Sequence, residues 1–155
     1  MISIGEKTPT FSIPGTEAQD WSNTSFSGSY LVLYFYPKDS TPGCTKEGIA
    51  FTELYPEFKQ LNAQIAGVSR DSVRKHENFK AKQNFCFPLL ADTEEVLCKI
   101  FDVIKLKKLY GREYLGIERS TFLIDPDGIL IKEWRKVKVS GHAQEVLEAL
   151  NELGQ

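Results

Sequence analysis

The sequence has 155 residues, of which 41% are hydrophobic and 26% are charged, and its formal net charge is -2 at pH 7. This length is typical of one domain with a single substantial core, so we expect residues 1–155 to form one domain. The small net charge gives no reason to expect nucleic acid or an anionic membrane as a partner.

The N-terminal segment MISIGEKTPTFSIPG contains neither a basic region nor a long apolar region, so we expect no secretory signal. No window approaches the roughly 18 apolar residues of a membrane span. The three cysteines, Cys44, Cys86 and Cys98, are too few and too scattered for a secreted disulfide framework. We therefore expect a cytoplasmic protein without a membrane partner, in which a cysteine is either buried filler or a reactive thiol.

The first half of the chain predicts one strand followed by one interrupted helix. Up to Gly28 the sequence indicates loops and short extended pieces, and the apolar run SYLVLYFY (29–36) then predicts a strand covered on both faces. The segment CTKEGIAFTEL has helical character. Because proline breaks a regular helix, we expect a break at Tyr55, with Pro56 opening a second helical segment.

The second half predicts alternating strands and helices. AQIAGVSRD and FPLLAD are typical of strands, SVRKHENFKAKQ is typical of a helix, and DTEEVLCKIFDV predicts a helix with Asp92 as N-cap and Glu95 three residues later. STFLIDPDGILIKEWRKV predicts a β-hairpin that turns at residues 125–128, and HAQEVLEALNEL predicts a closing amphipathic helix. The basic runs KLKKL and RKVKV are interpreted as solvated surface. Together these elements indicate an α/β protein with a central mixed β-sheet flanked by helices.

Cys44 lies where the first helix is expected to begin. Thr41 followed by Pro42 is typical of an N-cap and a first helical residue, which makes Cys44 the third residue of the helix. The Thr41 side chain and the Cys44 backbone N–H are then expected to meet in the first turn. Unpaired N–H groups and the positive end of the helix dipole there favour a thiolate.

The helix dipole alone does not activate such a thiol. A free cysteine, with a pKa of about 8.5, is only a few per cent thiolate at neutral pH. Lowering that pKa to about 6 requires roughly 3.4 kcal/mol, whereas a helix terminus supplies about 0.3–1 kcal/mol and occasionally about 2 kcal/mol. A nearby cation is therefore required, and arginine suits this role because its guanidinium can contact a thiolate and a polar oxygen together. The residues alone leave these candidates open: Arg70, Arg74, Arg112, Arg119 and Arg135.

Other thiol chemistries fit the sequence less well. The chain has no Cys-x-x-Cys of a dithiol oxidoreductase, and its isolated cysteines lack zinc-site spacing, so we expect neither a metal nor a cofactor. His76 and His142 do not lie near another piece of a Cys-His protease and are interpreted as surface residues. What remains is a thiolate that needs no general base. Its natural substrate is a peroxide, because thiolate attack on a peroxide yields a sulfenic acid directly.

The order of the motifs resembles a known family. Pro37, Thr41 and Cys44 form the pattern P-x-x-x-T-x-x-C, which looks like the active site of a peroxiredoxin. The following TKE and the distant GIERSTFLIDPDG resemble the bacterioferritin-comigratory-protein branch, also called PrxQ, and the likeness runs nearly from end to end. The resemblance implies a thioredoxin-like fold and an antioxidant enzyme that reduces hydrogen peroxide and alkyl hydroperoxides.

The resemblance also implies roles for individual residues. Cys44 would be the peroxidatic nucleophile, and Thr41 would hydrogen-bond the peroxide. Pro37 would shield the pocket, and Arg119 would supply the required cation. Glu47, three residues after Cys44 on the same helical face, would orient the arginine. Relatives in this branch are often monomeric, so we expect a monomer.

The chain departs from the family pattern at the second thiol. Many members carry a resolving cysteine five residues after the peroxidatic one, where this chain has Ile49. Others carry it in the helix after the next strand, and that helix, VRKHENFKAKQ, contains none. Cys86 lies just past the end of this helix and is the candidate resolving cysteine, whereas Cys98 is interpreted as buried filler among apolar residues.

Three modes of action therefore stay open. A disulfide between Cys44 and Cys86 would be reduced by thioredoxin. If neither Cys86 nor Cys98 resolves the sulfenic acid, the protein is a one-cysteine peroxidase recycled by glutathione or glutaredoxin. In the third mode, from a different class, the protein is a peroxide-sensing switch or a holdase, although the sequence offers no additional domain for that role.

Overall fold

The computed structural model describes residues 1–153, and its elements follow the predicted α/β order. The strands are β1 (Ser12–Gly15), β2 (Gln19–Ser22), β3 (Tyr30–Phe35), β4 (Ala63–Ser69), β5 (Leu89–Ala91), β6 (Ile104–Leu109), β7 (Arg112–Ile117), β8 (Ser120–Ile124) and β9 (Leu130–Trp134). The helices are α1 (Pro42–Gln60), α2 (Val73–Gln83), α3 (Val96–Ile100) and α4 (His142–Leu153), with a short 3₁₀ helix at Asn23–Phe26.

Seven strands form one mixed sheet in the order β2-β1-β5-β4-β3-β8-β9. Strand β4 pairs in parallel with β3 and β5, while the other neighbours are antiparallel. The predicted hairpin is confirmed: β8 and β9 are joined by a turn in which Gly128, with a φ of 85°, donates its N–H to the Asp125 carbonyl. A positive φ suits glycine at this position because it has no Cβ.

The molecule has two buried hydrophobic clusters, and strand β3 contributes side chains to both. Because successive side chains of a strand point to opposite faces, Leu33 and Phe35 join one buried cluster, whereas Val32 and Tyr34 join the other. Residues of α3 belong to the first cluster, and residues of α1, α2 and α4 belong to the second. As predicted, β3 is covered on both faces, and this fixes the point at which the chain leaves β3 for α1.

The predicted break before Pro56 is wrong, because α1 continues through this proline to Gln60. Proline removes one i→i−4 hydrogen bond from a helix. Phe51 and Phe58, one on each side of Pro56, are both fully buried in the same core. Packing therefore holds both halves of α1 in place and offsets the missing hydrogen bond.

The predicted N-cap of α3 is also wrong. The helix begins at Val96, and its N-cap is Glu95 in a left-handed conformation with a φ of 59°. The Asp92 carboxylate nevertheless accepts the backbone N–H groups of Val96, Leu97 and Cys98 at 2.8, 3.2 and 2.8 Å. The N–H groups in the first turn of a helix have no partner within the helix. Asp92, which lies before the helix, provides the hydrogen-bond acceptor for them.

One element was missed in the sequence. The segment that contains the basic run forms β6, which pairs with β7 as a separate two-stranded sheet. Its turn is Tyr110-Gly111, and both residues have positive φ, at 52° and 77°. Two positive φ values suit the tight turns that join hairpin strands. The available signal was the glycine between the two segments, but the lysines of the first segment were interpreted as solvated surface.

Candidate active site

Cys44 is presented by the short connection between β3 and α1. Strand β3 ends at Phe35, Thr41 is the extended N-cap of α1, and Pro42 is the first helical residue, as predicted. Cys44 is 2% exposed. Its position in the first turn puts the thiol beside the unpaired N–H groups and the positive end of the helix.

The Thr41 side chain does not cap the helix, which corrects the expectation that it would meet the Cys44 N–H. No side-chain cap hydrogen bond is present, because the Thr41 hydroxyl instead donates to the Lys38 carbonyl at 2.9 Å. Thr41 and Pro37 are both half-buried. The oxygen of the Thr41 hydroxyl keeps its lone pairs and can still accept a hydrogen bond.

The tertiary structure selects Arg119 among the five candidate arginines. Arg119 directly precedes β8, whose first residue pairs with Phe35 at the end of β3. This antiparallel pairing brings Arg119 Nη2 to 3.4 Å from Cys44 Sγ. A charged donor at this distance stabilises a thiolate over a thiol.

Glu47 completes a three-residue arrangement around the guanidinium. Its Oε1 accepts a hydrogen bond from Arg119 Nη1 at 2.6 Å, so the two arms of Arg119 contact Glu47 and Cys44. Glu47 is buried, and its Oε2 has no hydrogen-bond partner among residues 1–153. Burial raises the pKa of Glu47 from 4.5 to about 7, because desolvation outweighs the opposing charge of Arg119.

Replacing Glu47 with glutamine is expected to change how stability depends on pH. Because the pKa of Glu47 is raised in the folded state, the folded protein keeps a proton that the unfolded chain releases as the pH rises above 4.5. The stability that this proton supplies is lost as the pH rises through about 7. The Glu47→Gln variant has no group that titrates at this position. The difference in the free energy of unfolding between the variant and the wild type should therefore shift in favour of the variant by about 2–3 kcal/mol from pH 5 to pH 8.

Urea unfolding at the two pH values tests this expectation. Both proteins should carry Cys44→Ser, so that titration of the neighbouring thiol does not enter the comparison. If the two stability curves run parallel between pH 5 and pH 8, Glu47 does not titrate in this interval.

Two further side chains near Cys44 were not singled out in the sequence. Tyr34 lies beneath the site in β3, where burial and the negative charges of Glu47 and Cys44 raise its pKa well above the ordinary value. Lys107 reaches the site from β6, and burial together with the charge of Arg119 lowers its pKa, while Cys44 opposes this shift. No local signal marks either residue: Tyr34 is one of several aromatic residues in β3, and Lys107 is one of three lysines in β6.

Cys86 and Cys98 have different environments. All three cysteines are free, and Cys86 is exposed while Cys98 is fully buried. Burial and the neighbouring Asp92 carboxylate raise the pKa of Cys98, which is expected to make its thiol unreactive. The interpretation of Cys98 as buried filler fits this environment, and Cys86 is the more accessible second thiol.

Cys86 lies beside a later part of α1 than Cys44, so the two thiols are separated along the axis of this helix. Partial burial raises the pKa of Cys86, and the Thr52 hydroxyl is among the groups that oppose this shift, although it makes no hydrogen bond within residues 1–153. Thr52 follows Cys44 by eight residues, which corresponds to about 12 Å along a helix. The preceding residue, Phe85, packs its ring against Gly48 so closely that a Cβ there would lie 2.3 Å from the ring.

The two histidines are buried, which corrects their interpretation as surface residues. His76 is 0% exposed and contacts Asp39 in the loop before α1, while His142 hydrogen-bonds Thr121 of β8 at 2.7 Å. Neither contact joins a histidine directly to Cys44. The polar sequence around His76 suggested an exposed helix, and the buried face of α2 is marked only by His76 and Phe79.

Within residues 1–153, no cluster of three potential metal ligands is present. Across the same residues, no helix is both long and apolar enough to cross a membrane.

Comparisons with known proteins give the family. The model of the AhpC/TSA family matches residues 4–133. The chain is 57% identical over 143 residues to Peroxiredoxin Bcp of Xanthomonas campestris, with 91% of this chain and 89% of that protein covered. It is 51% identical over 154 residues to Peroxiredoxin Bcp of Bacillus subtilis, with 99% and 98% covered.

Solved structures agree with these relatives. PrxQ of Xylella fastidiosa is similar with a TM-score of 0.95 and 45% identity, over 100% of this chain and 99% of that one. The bacterioferritin comigratory protein of Xanthomonas campestris, studied for its alkyl peroxide reduction activity, has a TM-score of 0.89 and 52% identity, over 94% and 92%. The thioredoxin-like fold that the motifs implied is thereby confirmed. The chain belongs to the AhpC/TSA family and, within it, to the Bcp or PrxQ peroxiredoxins, which are thiol-dependent peroxidases.

Proposed function

We propose that Cys44 is the peroxidatic cysteine of this peroxidase and that Arg119 activates it. The observation that carries the proposal is the 3.4 Å contact between Arg119 Nη2 and Cys44 Sγ at the first turn of α1. The helix end and the guanidinium both favour negative charge on the sulfur. Glu47 orients the guanidinium through its 2.6 Å hydrogen bond.

The first half-reaction is a displacement at oxygen. The Cys44 thiolate attacks the terminal oxygen of the hydroperoxide, the S–O bond forms and the O–O bond breaks. The attacked oxygen keeps its hydrogen and the sulfur is oxidised to a sulfenic acid, while the other oxygen leaves and takes a proton from the solvent to become water or an alcohol. Thr41, the Cys44 N–H and Arg119 stabilise the charge that develops on the two oxygens, and Pro37 shields the site from water.

Hydrogen peroxide and alkyl hydroperoxides are the proposed substrates. The alkyl peroxide reduction activity of the similar Xanthomonas campestris protein supports the second class.

We further propose that the protein acts as a cytoplasmic monomer. Its mass of 17.6 kDa makes the monomer simple to distinguish from a dimer by size-exclusion chromatography with light scattering.

Cys86 is the proposed resolving cysteine. Its thiol attacks the sulfur of the Cys44 sulfenic acid, water leaves, and the resulting disulfide is reduced by the dithiol of thioredoxin. The exposure of Cys86 supports this role. The disulfide requires Cα atoms about 5.5–6 Å apart, so the first turns of α1 must unwind and Phe85 must leave Gly48 before the two sulfurs meet.

A one-cysteine mechanism is the second candidate, and the packing of Phe85 on Gly48 favours it. If this contact holds Cys86 in place, the sulfenic acid waits for glutathione or glutaredoxin.

One equivalent of hydrogen peroxide, added to the reduced protein before alkylation and peptide mass spectrometry, separates the two mechanisms. We expect a disulfide between Cys44 and Cys86 in the wild type. The Cys86→Ser variant should lose both this disulfide and thioredoxin-dependent turnover. Cys98→Ala is the matched control and should keep the disulfide and the turnover. A Cys44 sulfenic acid with both other thiols alkylated would instead establish the one-cysteine mechanism. Three reduced thiols would contradict the proposed function, and oxidation without turnover would favour the peroxide sensor.

A further inference from the structure

A buried polar network lies behind the loop that joins β3 to α1. The Tyr36 hydroxyl donates to Asp39 Oδ1 at 2.6 Å, and His76 Nδ1 lies 2.7 Å from Asp39 Oδ2. On its other side, His76 Nε2 lies 2.8 Å from the Leu90 carbonyl of β5. Tyr36, Asp39 and His76 are all buried. None of these side chains contacts Cys44, so the proposed displacement leaves them without a role.

The hydrogen-bond geometry fixes the number of protons in this network. A carbonyl oxygen only accepts, so His76 Nε2 must carry a hydrogen. One further proton must lie between His76 Nδ1 and Asp39 Oδ2, because two facing lone pairs at 2.7 Å in a buried site would repel each other. The pair is therefore either an imidazolium with a carboxylate or a neutral imidazole with a carboxylic acid. Both forms contain the same shared proton.

The other polar groups around the pair do not replace this proton. The Tyr36 hydroxyl lies 3.4 Å from His76 Nδ1, but its hydrogen is directed at Asp39 Oδ1. Asp71, after β4, accepts the Asp39 backbone N–H at 2.9 Å and the Ser69 hydroxyl at 2.6 Å. Asp71 therefore binds the Asp39 backbone and the Ser69 hydroxyl rather than the side chains of the pair.

The network attaches the middle of the loop to two other elements. Asp39 lies between Pro37 and Thr41, and His76 connects its side chain to α2 and β5. Breaking this connection would leave a buried carboxylate or imidazole unpaired, which is costly. The loop is thus held at its centre as well as by its two ends.

We propose that His76 is a positioning residue for peroxide reduction: through the proton it shares with Asp39, it holds the loop so that Pro37 and Thr41 face Cys44. This inference rests on the proposed role of Cys44. A displaced Thr41 hydroxyl no longer meets the peroxide oxygen, and a misplacement of about 1 Å can cost about a hundredfold in rate.

Two rates measured on each variant test the proposal. Stopped-flow oxidation of Cys44 by hydrogen peroxide requires the positioned loop, whereas alkylation of Cys44 by iodoacetamide requires the thiolate and access to its sulfur but no hydrogen bond from Thr41. His76→Phe, which keeps an aromatic ring but no hydrogen bond, should slow oxidation by about tenfold to a hundredfold without slowing alkylation. Glu77→Gln, at an exposed position of the same helix, is the control and should change neither rate.

A second pair of variants keeps the test informative if His76→Phe does not fold. Asp39→Ala removes the network and should slow oxidation as strongly as His76→Phe. Asp39→Asn can still accept from Tyr36 and can donate to an unprotonated His76 Nδ1, so it should recover most of the rate lost in Asp39→Ala. Equal oxidation rates in Asp39→Ala and wild type would overturn the proposal. A parallel slowing of alkylation would also overturn it, because the effect would then lie in the thiol itself.

The shared proton is measured directly by nitrogen-15 and carbon-13 NMR of the wild-type protein. Either two protonated ring nitrogens in His76 or a protonated Asp39 carboxyl group is the expected result. An unprotonated Nδ1 facing an ionised carboxylate would overturn the proposal. If Cys44 of the wild type is not oxidised at all, the proposed function fails; if the wild type is oxidised and the variants match it, only the positioning role fails.

Discussion

Replacing Cys44 with serine is expected to abolish peroxide reduction. A serine hydroxyl is not ionised at neutral pH and cannot form a sulfenic acid, so turnover should fall by at least about 10⁴-fold, as when other enzymes lose their nucleophile. The change is nearly isosteric and should cost only about 1 kcal/mol in stability. Consumption of hydrogen peroxide and of an alkyl hydroperoxide, followed with thioredoxin or glutaredoxin as donor, measures the effect.

Cys98→Ala is the matched control for this experiment. It also removes a buried thiol, but at a site behind β3 that does not contact Arg119, so its activity should remain close to that of wild type. Residual activity in Cys44→Ser comparable to that of Cys98→Ala would show that another group attacks the peroxide, and the proposed mechanism would be wrong.

Replacing Arg119 with alanine is expected to slow the oxidation of Cys44 by about 10²–10³-fold at neutral pH. The variant loses both the cation that stabilises the thiolate and a donor to the oxygens of the peroxide. Stopped-flow oxidation at neutral pH measures the effect, and an unchanged rate would exclude Arg119 from the mechanism.

A second variant separates this effect from simple destabilisation. Arg119→Ala removes the charge that opposes the raised pKa of the buried Glu47, so Glu47 must either take up a proton or keep an unpaired charge that costs about 3–5 kcal/mol. In the double variant Arg119→Ala, Glu47→Gln, the unpaired charge is absent, so stability should recover while the rate stays low. If the rate recovers together with stability, Arg119 acts only on the fold.

The sequence revealed the part of the candidate site whose residues lie close together along the chain. Pro37, Thr41 and Cys44 lie within one short segment, and the proline after Thr41 marks the helix start because proline suits the first helical position. That position alone predicted a thiol at a helix end that needs a cation. Arg119 and Glu47 entered through the resemblance to a family, since nothing local distinguishes Arg119 from four other arginines.

The errors share a physical cause. Pro56 predicted a break, but two buried phenylalanines hold α1 together across it. The polar surroundings of His76 suggested solvent, but tertiary packing buries its ring against Asp39. Local propensity is a weak prior that tertiary contacts override.

By itself the sequence determined the alternation of strands and helices, the covered central strand β3, the late hairpin and the placement of Cys44 at a helix start. These features follow from periodicity, proline and turn residues, which act over a few neighbouring positions. Only the tertiary structure decided which arginine lies beside the thiol, that Glu47 binds the same arginine, and that His76 lies beside Asp39 of the loop. Each of these contacts joins residues far apart in the chain, and such contacts depend on strand pairing and packing rather than on local pattern.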